Sequence, residues 1–124
     1  MLPQKILVID SDKDASLITS RRLKKIFDNC EIVTAASPLE LNHIISNFSL
    51  IITEIRFPDY DAFEFIARIK NHYPEIKIVV TTASYAREVE RKAKEMGVDY
   101  FLPKPFSLEE LKNSLAELKI INLN

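Results

Sequence analysis

The sequence predicts a single α/β domain of five βα units wound around one parallel sheet. Three observations carry this expectation. Five short apolar runs rich in β-branched residues recur along the chain, segments of helical period separate them, and the middle runs are apolar without alternation, as strands covered on both faces are. A chain of 124 residues, 47% hydrophobic and 28% charged, suits one ordinary core.

The first strand is KILVID, residues 5–10. Residues 14–27 follow as a helix whose inner stripe is Ala15, Thr19, Leu23, Ile26 and Phe27, with Leu17 outside it. EIVTA, residues 31–35, is the second strand. Ser37-Pro38-Leu39-Glu40 then opens a helix with an N-cap, a proline at the first helical position and a capping-box glutamate, and Leu41, Ile44, Ile45 and Phe48 form its buried side. LIITE, residues 50–54, is the expected central strand, and Pro58 with Asp59 marks a loop after it. The next helix carries Phe63, Ile66 and Ile69 and stops before Pro74, and IKIVVTT, residues 76–82, is the fourth strand. Residues 84–96 form a charged helix with a thin apolar stripe of Ala86, Val89, Ala93 and Met96, a helix that should shift cheaply. Gly97, the only glycine, is placed to end it. YFLP, residues 100–103, is the fifth strand, and Ser107-Leu108-Glu109-Glu110 is a second capping box opening the last helix through Leu111, Leu115 and Leu118.

Right-handed crossovers with helices on both faces make the flavodoxin-like, doubly wound strand order 2-1-3-4-5 the expected topology, with a crevice at the carboxyl ends of strands 1 and 3. Asp10 and Asp12 follow strand 1, Glu54 ends strand 3, Thr82 ends strand 4 and Lys104 follows strand 5. Such a set can bind an anion, hold a hydrated Mg2+ or pair within itself; equally, strand ends meet water and carry polar residues for that reason alone. Glu54 is thus a reacting group, a metal ligand or a stand-in for something else.

Composition narrows the partners. A net charge of -1 argues against direct nucleic-acid binding by this domain. The lone Cys30 excludes an internal disulfide and a cysteine-based zinc site, and His43 and His72 lack metal-ligand spacing. The N-terminal MLPQKILVID lacks the apolar segment of a signal peptide, and no run approaches the ~18 apolar residues of a membrane span, so a soluble, cytoplasmic protein is expected. No glycine-rich phosphate loop is present, which argues against flavin or nucleotide binding.

ILVIDSD, LIITEIRFPDYDAFE, VVTTA and GVDYFLPKPF resemble, in order and spacing, the motif blocks of the receiver domain of two-component response regulators, across essentially all of residues 1–124. The resemblance implies a signalling module, not an enzyme. In that family an aspartate at the end of strand 3 takes a phosphoryl group from a histidine kinase or phosphotransfer protein with Mg2+. An acidic pair after strand 1 binds the metal, a Thr or Ser and a Lys contact the phosphoryl oxygens, and a proline after the Lys is often joined by a cis peptide. Residue by residue, Asp10 matches the first acid, Thr82 the hydroxyl, Lys104 the lysine, Pro105 the proline and Phe101 the switch aromatic.

Two positions depart from the pattern. Glu54 stands at the phosphoacceptor position and Ser11 at the second acid. The extra methylene of Glu54 moves its carboxylate outward by about a bond length, where a misplacement of ~1 Å can cost ~100-fold in transfer. Ser11 removes charge from the metal site, and Arg56 adds a positive charge that can pair with Glu54 or Asp10. Mg2+ at Asp10, Asp12 and Glu54 is therefore expected to bind weakly, with Asp12 as partial compensation. Ser11 and Arg56 are read equally as drift or as selected changes. Glu54 is read as a mimic of the phosphorylated residue that accepts from Thr82 and pairs with Lys104.

The expected function is that of an atypical, pseudo-receiver module acting through protein binding on the face of helix 4, strand 5 and helix 5, residues 84–118, including formation of a homodimer. The alternative is a working, Mg-dependent phosphoacceptor switch controlling an attached or separate output. LKIINLN, residues 118–124, either completes the last helix or leads toward a further, DNA-binding region.

Overall fold

A computed structural model describes residues 4–41, 45–58, 60–83 and 87–121. Five parallel strands, β1 (Gln4–Ile9), β2 (Cys30–Ala35), β3 (Leu50–Glu54), β6 (Lys77–Thr82) and β7 (Tyr100–Pro103), lie in the order β2-β1-β3-β6-β7. This is the expected 2-1-3-4-5 order. Between β3 and β6 lie a short antiparallel ribbon, β4 (Arg56–Phe57) with β5 (Tyr60–Asp61), and helix α2 (Ala62–His72). The other helices are α1 (Lys13–Ile26), α3 (Arg87–Glu95) and α4 (Leu108–Glu117).

Alternate residues of the central strands face opposite layers, which is why their sequences show no alternation. Leu7, Ile9, Ile51, Ile78, Val80 and Phe101 pack with Phe65, Ile66 and Ile69 of α2 and Ala93 of α3. Ile6, Val8, Leu50, Ile52, Val79 and Leu102 pack with Leu23 of α1 and Leu111 and Leu115 of α4. β2, at the sheet edge, buries only Ala35. Among the described residues no helix is long and apolar enough to cross a membrane.

One local expectation is corrected. The helix expected from Ser37 is, among the described residues, two 3-10 turns, Pro38–Glu40 and Ile45–Asn47, with Leu41 extended at φ -77°, ψ 121°. The capping box there is incomplete: Ser37 accepts from Leu39 N–H, and Glu40 reaches past the cap to Ala36 N–H. Leu41, Ile45 and Phe48 still pack on the core, while Ile44 lies outside the described residues. Pro58 lies in a turn between the two short strands of the ribbon, as expected, and Asp59 lies outside the described residues; Phe57 is buried, and Asp61 caps α2, accepting from Phe63 N–H at 2.9 Å. In α1 the expected stripe is buried at Thr19, Leu23 and Phe27, with Ile26 packed against the same core and Ala15 half-buried; Ser16 joins it, and Leu17 lies outside it, exposed.

The charged helix has the thin buried stripe its composition implies. Of α3 only Ala93 is buried; Val89 and Met96 are partly covered, and Ala86 lies outside the described residues. Its end is a Schellman motif: Gly97 N–H donates to Lys94 O and Val98 N–H to Ala93 O, both at 3.1 Å, with Gly97 at φ +94°. A methyl group there would lie 3.3 Å from Cγ of Lys70. Lys70 has no slack to give, since its ammonium bonds Asp99 at 2.8 Å and the Ile76 carbonyl at 2.9 Å. Gly97→Ala is therefore expected to lower stability by about 1–2 kcal/mol, measured as a lower urea midpoint with an unchanged slope. The last helix has its full capping box, with Ser107 and Glu110 bonded reciprocally at 3.0 and 3.1 Å.

Candidate functional site

Register brings the polar strand ends together. Ile9 pairs with Thr53, Glu54 with Thr81 and Thr82 with Pro103, so Asp10, Glu54, Thr82 and Lys104 meet at one edge of the sheet. The centre of the site is Lys104. Its ammonium lies 2.6 Å from Asp10 Oδ2 and 3.1 Å from Glu54 Oε2, and its backbone N–H donates to the Thr82 carbonyl at 2.9 Å. Asp10 and Glu54 are each only 6% exposed and Thr82 is fully buried. The Lys104–Pro105 peptide is cis.

The second oxygen of each acid is engaged by backbone. Asp10 Oδ1 accepts from Asp12 N–H at 2.9 Å, and Glu54 Oε1 accepts from the N–H groups of Ile55 at 2.7 Å and Arg56 at 3.2 Å. Among the described residues the donors to Glu54 are thus Lys104 and its own following backbone, in place of the expected hydrogen bond from Thr82. The expected pairing of Arg56 with Glu54 or Asp10 is also corrected: Arg56 is exposed, and it serves Glu54 through its backbone N–H. The reason is geometric, since Arg56 opens the β4–β5 ribbon and its side chain alternates away from the buried Phe57.

Asp12 has a different task from the one its spacing implied. It is exposed and caps α1, accepting from Asp14 N–H at 2.9 Å and Ala15 N–H at 3.2 Å. Ser11 is exposed beside it. Among the described residues no three His, Cys, Asp or Glu side chains form a group able to hold a metal ion. Every carboxylate oxygen of Asp10 and Glu54 already accepts from a donor, so a Mg2+ held by Asp10 and Glu54 would compete with the Lys104 ammonium and the backbone N–H groups for them.

Burial works against the charge of Lys104, but the hydrogen bonds and charges of Asp10 and Glu54 outweigh it and hold its pKa above the ordinary 10.5. Because the folded value is the raised one, the stability this contributes is complete below pH 10.5 and is lost as pH climbs through the folded value. In urea titrations across that window the wild type should lose stability more steeply with pH than Lys104→Met. Parallel curves would contradict this.

Elsewhere, burial raises the Cys30 thiol pKa despite the nearby Lys24 charge, which suits a packing residue better than a nucleophile. His72 sits exposed at the end of α2 with Nδ1 at 2.9 Å from the Arg68 carbonyl, and His43 lies outside the described residues. Two ties have no local signal in the sequence. Lys70 pairs with Asp99, which also accepts from Ile78 N–H at 2.8 Å, and Arg22 bonds the carbonyl of Phe106 across 84 residues of chain.

The response regulator receiver domain family model matches residues 6–116. The transcriptional regulator NtrC of Rhizobium meliloti is 31% identical over 106 residues, covering 86% of this chain and 22% of that protein. The transcriptional regulatory protein BasR of Escherichia coli is 32% identical over 89 residues, covering 72% of this chain and 40% of that one. The chain thus spans less than half the length of these relatives. Among solved structures, the BeF3-activated receiver domain of DrrB, a Thermotoga maritima OmpR/PhoB homologue, superposes with a TM-score of 0.83 at 24% identity, covering 97% of this chain and all of that one.

Proposed function

This chain belongs to the response regulator receiver domain family, and from that premise we propose that it is a pseudo-receiver that signals by protein binding, with Glu54 standing permanently in place of a phosphorylated aspartate. One observation carries the reading: the Lys104 ammonium, the group expected to meet a phosphoryl oxygen, is already paired with Glu54 at 3.1 Å inside a buried site. A phosphoryl group arriving there must displace a charge-assisted hydrogen bond and separate opposite charges in a poorly solvated pocket. Receiver switching moves the Thr inward and lets the strand aromatic follow; Thr82 is fully buried here and Phe101 is 8% exposed. Glu54 thus biases the domain toward its signalling form, and control passes to abundance or to a partner.

The output face is that of α3, β7 and α4, where a histidine kinase, a phosphotransfer protein or a second copy of the chain would dock. Its least anchored member is α3, held by one buried alanine. The names of the relatives suggest a longer regulator with a transcriptional output, to which this domain would contribute the receiver.

The second reading, a working phosphoacceptor, is favoured by the intact set of Asp10, Thr82 and Lys104. Acetyl phosphate with Mg2+ followed by intact mass separates the two. A pseudo-receiver gains no phosphoryl mass, whereas stable modification at Glu54, Asp10 or Asp12 would establish the switch.

A further inference from the structure

Lys104 is anchored on both sides along its own backbone. Its N–H is tied to Thr82, and past Pro105 the chain reaches Phe106, whose ring is buried with Leu23, Leu111 and Leu115. Nη1 of Arg22, on α1, donates to the carbonyl of Phe106, and the same guanidinium stands 5.7 Å from the centre of the Phe106 ring. A half-buried, charged donor on a carbonyl is stronger than a neutral one, and the ring adds a cation–π contact in the same geometry.

The helix that carries Arg22 also meets the acid opposite Lys104. Asp12, its N-cap, donates its backbone N–H to Asp10 Oδ1 at 2.9 Å. One helix therefore reaches Asp10 directly through its N-cap and, through Arg22, the chain two residues past Lys104, while the 2.6 Å contact between Asp10 and Lys104 lies between these two ties. From the sheet side, Lys104 is held by its backbone bond to Thr82 and by the Glu54 carboxylate at 3.1 Å.

We propose that Arg22 is a positioning residue for Lys104: by fixing the carbonyl and ring of Phe106 it holds the Lys104 ammonium between Asp10 and Glu54. A planar guanidinium can bond the carbonyl and cover the ring together, which the point charge of a lysine cannot do as well. The inference rests on the position of Lys104 and holds whether Glu54 is a mimic or an acceptor.

The test is amine acylation of the full chain, followed by peptide mass, with Lys70 as internal reference because it is comparably buried in its own ion pair with Asp99. In Arg22→Met, Lys104 should be modified about ten-fold faster than in the wild type, the scale of one charge-assisted hydrogen bond, with the Lys70 rate unchanged. Arg22→Lys, which keeps a cation, should fall between. An unchanged Lys104 rate in Arg22→Met would overturn the proposal. So would equal acceleration of Lys104 and Lys70, since that is general loss of stability, and so would Arg22→Lys matching Arg22→Met.

Discussion

Lys104→Met is expected to destabilise the fold by about 3 kcal/mol, read as a lower urea midpoint at neutral pH. The magnitude follows from burial. The Lys104 side chain is 18% exposed and those of Asp10 and Glu54 are 6% and 8%, so removing the ammonium leaves two carboxylates facing each other with little water to screen them. Backbone N–H groups still serve one oxygen of each acid, which keeps the loss from being larger. Adding Glu54→Gln in the same background should restore most of the stability, because a single buried acid remains. If Lys104→Met costs nothing, the triad is a solvated rim and its ion pairs carry no weight.

The second large effect concerns chemistry. The double substitution Ser11→Asp with Glu54→Asp should be labelled by acetyl phosphate and Mg2+ at least about 100-fold faster than the wild type. Shortening residue 54 draws its carboxylate back from Lys104 by about a bond length, freeing the ammonium for a phosphoryl oxygen. Ser11 is exposed beside Asp10, so an acid there can add the charge that the site lacks for a hydrated cation, whereas Asp12 is held at its helix cap. Glu54→Asp alone should gain less. A double variant that stays unlabelled would place the block outside these two residues.

The strands were legible because a parallel sheet covered on both faces leaves long apolar runs such as LIITE and KIVVTT, and their carboxyl ends locate Asp10, Glu54 and Lys104 without further help. The capping box at Ser107 was legible for a similar reason: its signal is local. The segment from Ser37 was not. Serine, proline and glutamate at that spacing start a turn, but whether the turn propagates depends on what covers Leu41 and Ile45, and that is tertiary. Asp12 shows a second limit. A carboxylate just before a helix can cap it or face the crevice, and its spacing is the same in both cases. Glu54 shows a third, since nothing in the order of residues says that one of its oxygens folds back onto the N–H groups of Ile55 and Arg56. The Arg22 contact lies furthest from reach, because the partners are 84 residues apart and only Phe106 sits in a motif block.

The most direct test of the central claim is an NMR comparison of the wild type with Glu54→Gln, following Thr82 and the ring of Phe101. If the Glu54 charge holds the signalling arrangement through Lys104, the substitution moves both sets of resonances and shifts spread across α3, β7 and α4. If Thr82, Phe101 and that face are unchanged while only residues 54–56 and Lys104 respond, Glu54 does not hold the switch, and the mimicry account fails.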